Sequence, residues 1–428
     1  MRRHSRSVRR LPLSSACRLL IMALLGLTGC QIGATAPVPA ANRIYVFDFE
    51  NGYFVRPDSS GIAALDVRDG HVVWRHAYAA SGTSLPSFEF PPFPSGDSVY
   101  AGYDAQMATL EALDADSGST SWRQNASVEL AGPPAVSAGS VYVASRAQHA
   151  FAPGAGPASG QVEALDADQG SVLWRVPVDG YPSPPTLADG RVIISVYRQP
   201  AASWDVLALD AASGRQVWDY VSPKSLFSGD LVPIVAPTPT GEHSVLVGAL
   251  VRAPDGLATS TDLALSARDG ELLWSYEPGG MLSPPTLAGD TVCLTSITYG
   301  TNEVSTRVVM LDLATGHTSW SAIATGMTSA CVVSGESIYL SNLLPSRAGS
   351  LLALDARTGR PPWTASVAPV SLSGPVVVAN DAVYLLQFVN TGGKPSVAVD
   401  AIGAEDGHVG GGAILASHPT RQGSRSML

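Results

Sequence analysis

The stretch Ala64-Leu65-Asp66-Val67-Arg68-Asp69-Gly70-His71-Val72-Val73-Trp74 decides the fold, because it returns down the chain. Its copies run from Ala112 to Trp122, Ala164 to Trp174, Ala208 to Trp218, Ala264 to Trp274, Met310 to Trp320 and Ala353 to Trp363. Gly always falls four residues before Trp, and successive tryptophans lie 48, 52, 44, 56, 46 and 43 residues apart. An eighth copy is read at Ala398-Val399-Asp400 to Gly407, with three extra residues and with Gly411 where Trp is expected. A recurrence of this size marks a repeat architecture in which each unit buries its faces against its neighbours.

Upstream of each copy lies a second half. Ser183-Pro184-Pro185-Thr186-Leu187, a turn at Gly190 and then Val192-Ile193-Ile194 form one example. Counterparts are Ser283 to Leu287 with Val292 to Leu294, and Gly374 to Val378 with Val383 to Leu385; the first is placed at Pro37 to Ala40 before Ile44-Tyr45-Val46. One unit therefore reads as four short strands, the first led by Pro and the fourth carrying Trp, in the size range of a propeller blade. The expected fold is all-β: an eight-bladed β-propeller of four-stranded blades with tryptophan-docking motifs, over residues 37–415. Composition agrees, since 14% charged residues with 42 Gly and 32 Pro disfavour long Lys- and Glu-rich helices.

Residues 1–29 hold six arginines and no acid, so the net charge of −10 for the whole chain leaves −16 on the remainder. A body that acidic repels phosphate backbones, which excludes nucleic acid as a partner. The Arg-rich start, the apolar run Leu19 to Leu27 and Leu27-Thr28-Gly29-Cys30 together read as an export signal, the run being too short to span a bilayer. The last four residues resemble the lipobox of bacterial lipoproteins. That resemblance implies a lipoprotein signal peptide over 1–29, lipidation of Cys30, a short tether over 30–36 and an extracytoplasmic, membrane-anchored protein. Gln31 after the Cys implies the outer membrane if the host is Gram-negative. Residues 416–428 are read as a C-terminal tail.

The eleven-residue Ala-x-Asp-x-x-x-Gly-x-x-x-Trp unit resembles the tryptophan-docking motif of the pyrroloquinoline-quinone (PQQ) repeat propellers, and the likeness covers about residues 37 to 415. Two branches share that fold: quinoprotein alcohol and glucose dehydrogenases, and the non-catalytic propeller lipoprotein of outer-membrane β-barrel assembly. The lipobox and the length are similar to the second branch. It implies a protein partner in the cell envelope, contact with the membrane through the lipid alone, a monomer, and no cofactor. The first branch implies PQQ with calcium. Several of its members have adjacent cysteines beside the quinone, and some carry a Cys-x-x-Cys-His haem site. This chain has neither; its mature cysteines are Cys30, Cys293 and Cys331. A third reading is a surface lipoprotein that binds a small ligand or polymer.

Trp74, Trp122, Trp174, Trp218, Trp274, Trp320 and Trp363 are expected to dock neighbouring blades, each indole N–H bonded to a backbone carbonyl. Asp66, Asp114, Asp166, Asp210, Asp312 and Asp355 precede the Gly turn and are expected to accept backbone N–H groups there; Asp114-x-Asp116-x-Gly118 also looks like a fragment of a calcium loop, though it lacks the oxygens of a full one. No metal, nucleophile or phosphate motif is present, and the eight histidines are scattered, so neither a catalytic residue nor a metal site is expected. Insertions gather in the other loops, at Tyr78 to Pro94, Arg146 to Gly160, Pro223 to Pro233 and Arg252 to Thr261. The first of these, with Leu85, Phe88, Phe90 and Phe93 in a Pro-broken stretch, is the candidate partner-binding loop. Cys293 and Cys331 are either a disulfide or two buried thiols, according to how closely their Cα atoms approach.

Overall fold

The computed structural model describes residues 43–49, 60–66, 71–78, 87–104, 108–125, 129–146, 159–198, 202–224, 226–228, 232–237, 241–252, 258–300, 303–346, 348–367, 376–379, 381–391 and 394–417. The signal and tether expectations, Pro37 to Ala40, and residues 418–428 of the expected tail lie outside them. The described residues form strands and turns with no helix, arranged as eight antiparallel sheets in sequence order. These span residues 43–78, 87–125, 129–178, 181–221, 226–276, 281–325, 327–367 and 376–417. The chain divides into two compact units, Met1–Gln106 with Leu110–Arg123, and Met107–Thr109 with Gln124–Leu428. The first two sheets belong almost wholly to the first unit and the other six to the second.

The fourth sheet shows how one repeat folds. Arg191–Arg198, Ser203–Asp210 and Gln216–Val221 pair in order, and the Pro-led strand lies beside Arg191–Arg198. That strand is split into Tyr181–Pro182 and Thr186–Ala188, because Pro184 and Pro185 have no N–H for the ladder. Ser183 fills the break. Its N–H donates to Ser195 O (2.8 Å) and its hydroxyl accepts from Ser195 N–H (3.0 Å). Ser283 with Thr295 and Ser329 with Ser341 repeat the device in the sixth and seventh sheets.

Between the third and fourth strands the register shifts just before the motif Asp, at Ala208/Leu209 here and at the matching place in the first, third, fifth and sixth sheets. Such a bulge adds twist and leads into the tight Asp-to-Gly turn. Gly214 closes that turn at φ +70, donating to Asp210 O (2.8 Å). Ala211 N–H meanwhile donates to Gly190 O in the turn between the first and second strands (2.9 Å), so the two short turns lie together. Side chains on both faces are buried. Val162 and Ala164 of the third sheet, for example, pack with Val192, Ile194 and Leu209 of the fourth.

Two sequence expectations need correction. The eighth copy is in register at Ala401-Ile402-Gly403, not at Ala398-Val399-Asp400, and it holds no extra residues. Ala401 pairs with Gly411 as Ala208 pairs with Trp218, and Gly407 N–H donates to Gly403 O as Gly214 donates to Asp210. Gly403 therefore stands where the motif has Asp, and Gly411 where it has Trp. The loop assignment changes as well. Ser87–Phe88 and Phe93–Ser95 are the two halves of the second sheet's Pro-led strand, and Leu226–Ser228 is a half of the fifth sheet's. Arg252 and Ala258 pair as strand ends, which shortens the insertion at Arg252 to Thr261. Residues 147–158 of the remaining insertion lie outside the described residues. The last strand runs to Ser417.

Candidate functional site

The motif's signature residues meet across the seams between sheets. Trp174 of the third sheet donates Nε1–H to Ala211 O of the fourth (2.9 Å), and Trp218 of the fourth donates to Ala267 O of the fifth (3.0 Å). Trp274, Trp320 and Trp363 do the same with Leu313, Ala356 and Ala404, as does Trp74 with Ala115 in the first unit. Each accepting carbonyl belongs to the residue after the next copy's Asp position, whose N–H is already held by its own sheet's other turn. The indole then lies flat on the next copy's Gly. A methyl group at Gly214 would sit 2.7 Å from Trp174 Cε3, and one at Gly118 would sit 2.5 Å from Trp74 Cε3. Trp122 is buried beside Tyr100, their rings 6.0 Å apart.

The motif carboxylates are engaged in their own turns. Asp114 accepts from Ser117 N–H (2.7 Å) and Oγ–H (2.6 Å), and Asp312 from Thr315 N–H (2.8 Å) and Oγ1–H (2.6 Å). These bonds hold Asp114, Asp210, Asp312 and Asp355 below the usual carboxylate range, the Ser or Thr hydroxyl being the largest cause. Among the described residues no three His, Cys, Asp or Glu side chains come together as a metal would require. Cys293 and Cys331, far apart in sequence, form a disulfide with Cα atoms 6.2 Å apart, joining the sixth sheet to the seventh. Their chemistry is a covalent staple, unlike the adjacent cysteines beside a quinone.

The candidate partner-binding residues are placed differently from expectation. Phe90 is 1% exposed and lies against Gly102, where any side chain would overlap its ring. Lying in the break between Ser87–Phe88 and Phe93–Ser95 rather than at a loop tip, its ring is part of the core. Phe88 is half-buried, its ring edge-on to Tyr78 at 5.3 Å and near Tyr103 at 6.3 Å. Phe93 is half-buried in the strand pair with Tyr100, and Leu85 lies outside the described residues.

Close to these rings is a group the sequence reading missed. Glu111 is fully buried in the third strand of the second sheet. Its Oε1 accepts from Arg123 Nε–H (2.7 Å) and Thr120 Oγ1–H (2.5 Å), with His76 Nε2 at 3.7 Å. His76 Nδ1 meets Gly118 O at 2.8 Å. Burial, then the Glu111 charge, raises both Tyr78 and Tyr103 above the ordinary phenol range. Arg123 is raised in turn by its hydrogen bond to Glu111. The cluster is an ion pair roofed by aromatic rings, and its Glu and Arg hold each other in place rather than poising a base. One signal was available: copies two and three alone carry Glu three residues before the motif Asp (Glu111, Glu163) and Arg after the Trp (Arg123, Arg175). Glu163 and Arg175 also pair directly.

Antiparallel sheets of one repeated pattern, six of them docked on the next by an indole, define a repeat protein of the β-propeller class. The chain belongs to the family described as outer membrane protein assembly factor BamB, whose model matches residues 58–154, 106–342 and 258–401. No curated protein matches. Among solved structures, BamB from Moraxella catarrhalis aligns at 16% identity and TM-score 0.50, over 91% of this chain and 94% of that one. Quinohemoprotein alcohol dehydrogenase from Comamonas testosteroni aligns at 14% and 0.52, over 92% and 76%. The dihydro-heme d1 dehydrogenase NirN aligns at 16% and 0.53, over 96% and 82%. At these identities the likeness is one of fold, shared by BamB and by dehydrogenases.

Proposed function

We propose that the chain is an eight-bladed propeller, lipid-anchored outside the cytoplasm through Cys30, that serves outer-membrane β-barrel assembly as a non-enzymatic protein-interaction scaffold without a cofactor. The family match from residue 58 to 401 carries this reading. The near-equal length shared with Moraxella catarrhalis BamB supports it. So does the use of the repeated Trp, Asp and Gly in seams and turns, which commits them to holding sheets together. The Cys293–Cys331 disulfide supports an oxidising compartment, since such bonds are rare in the cytosol. A partner would be a protein of the envelope, and the chain would act as a monomer.

Two experiments test it. Purified protein is incubated with PQQ and Ca²⁺, scanned for the quinone chromophore and assayed for dye-linked alcohol oxidation; neither signal is expected, and bound quinone with turnover would replace the scaffold by a dehydrogenase. Cys30→Ala is expected to move the protein to the soluble extracytoplasmic fraction. Unchanged membrane retention would refute the anchor. The seven steps from Cys30 to Pro37 reach at most about 25 Å, so the anchored protein would lie close to the membrane.

A further inference from the structure

Six sheets place a buried aliphatic residue two positions before the motif's first residue: Ile62, Leu110, Val162, Val206, Val308 and Leu351, none more than 1% exposed. In the fifth sheet this place is taken by Asp262, 3% exposed. Neither carboxylate oxygen has a hydrogen-bond partner among the described residues. Its neighbour in the ladder is Gly248, and a methyl group there would lie 2.8 Å from Asp262 Oδ1 and 3.6 Å from Pro285 Cδ of the sixth sheet. Gly248 thus yields its own side-chain space to the carboxyl, and Pro285 closes the space from the facing sheet. Ser260, on the same face of the strand, donates to Gly280 O just before the sixth sheet, so this face lines the seam.

We propose that Asp262 is a proton-binding site built into the seam between the fifth and sixth sheets: the neutral carboxyl is accommodated there, and its ionisation leaves an unpaired charge that loosens the seam. Among the described residues no neighbouring element supplies a counter-charge. His243–Arg252 places Gly248 opposite Asp262, with its His and Arg at the two strand ends. Leu272–Tyr276 places Tyr276 opposite, followed by Glu277, which is paired with Lys224. Met281–Leu282 and Thr286–Ala288 contain no titratable residue. In the facing sheet, Ser296 pairs with Arg307, whose side chain is exposed, and the strand's Tyr299 is exposed at its far end.

Burial alone pushes Asp262 up to about 8. Folded chains then hold this proton to higher pH than unfolded ones, whose carboxyl titrates near 3.8. The stability it contributes is full below 3.8, falls as pH rises, and is gone above about 8. The test compares denaturant unfolding of the wild type with Asp262→Asn and with Asp262→Val, which restores the residue type of the other sheets. Relative to either variant, the wild-type unfolding constant is expected to rise about tenfold per pH unit between pH 5 and 7.5, the slope of one proton. Parallel curves would overturn the proposal. Should neither variant fold, ¹³C titration of the wild-type Asp262 carboxyl decides: a midpoint near neutrality or above supports it, and one below pH 5 overturns it.

Discussion

Gly190 and Gly214 belong to the same sheet and have nearly the same backbone conformation, φ +72 and +70. They differ in what surrounds them. A methyl group at Gly190 would meet nothing within 4 Å, whereas at Gly214 it would meet Trp174 Cε3 at 2.7 Å, Trp174 Cδ2 at 2.8 Å and Val176 Cγ2 at 3.0 Å. Ala in a left-handed conformation costs roughly 1–2 kcal/mol at either site. At Gly214 the indole must also retreat, an overpacking cost of about 1–3 kcal/mol. Its Nε1–H bond to Ala211 O, 2.9 Å long, is strained or lost, at a further ~1 kcal/mol. Gly190→Ala should therefore lose about 1–2 kcal/mol and Gly214→Ala about 3–6 kcal/mol, read from denaturant midpoints. Adding Trp174→Leu should remove most of the difference, because a smaller side chain no longer meets the methyl group. Equal losses from the two Gly variants, or a full loss that survives Trp174→Leu, would refute the account of the seam.

Removing the Cys293–Cys331 staple by a double Ala substitution should cost about 3–4 kcal/mol from the loop it closes, 38 residues apart in sequence, while leaving partner capture intact. Loss of capture by a folded double variant would contradict a purely structural role. Hydrogen exchange should find the strand Val409–Ser417 opening before the fourth strands of the other sheets, since Gly411 supplies no indole and Gly403 no carboxylate to the turn. Uniform protection across the sheets would count against this. Phe90→Ala should lower stability by about 3–5 kcal/mol, as for any enclosed aromatic ring, and leave partner binding unaltered. Lost binding at unchanged melting temperature would return Phe90 to the interface.

The repeated unit was legible because its residues are constrained twice. Gly must adopt a left-handed turn and must also receive an indole, so its spacing to Trp never varies, and seven copies identify the third and fourth strands and the turn between them. The eighth was misread by three residues because Ala398-Val399-Asp400 imitates Ala-Leu-Asp, while the true counterpart has lost both residues that made the motif visible. The Pro-led strand was recognised, but not its interruption; the Ser that bridges the break stands beside the prolines at Ser183 and Ser283. Phe88, Phe90 and Phe93 read as a loop because Pro91, Pro92 and Pro94 resemble loop punctuation, although an outer strand pairing on one side tolerates them. The disulfide and Asp262 depend on register between sheets, which no local pattern carries. Asp262 becomes conspicuous only when it is set beside the six aliphatic residues in its row.

Affinity capture of the lipidated chain from detergent-solubilised envelopes of its own host, with the bound proteins identified by mass spectrometry, addresses the scaffold role most directly. A protein of the outer-membrane β-barrel assembly machinery should be recovered in stoichiometric amount and be absent from a capture with an unrelated lipoprotein. Recovery of the chain in its membrane-bound, folded form without any component of that machinery would contradict that role.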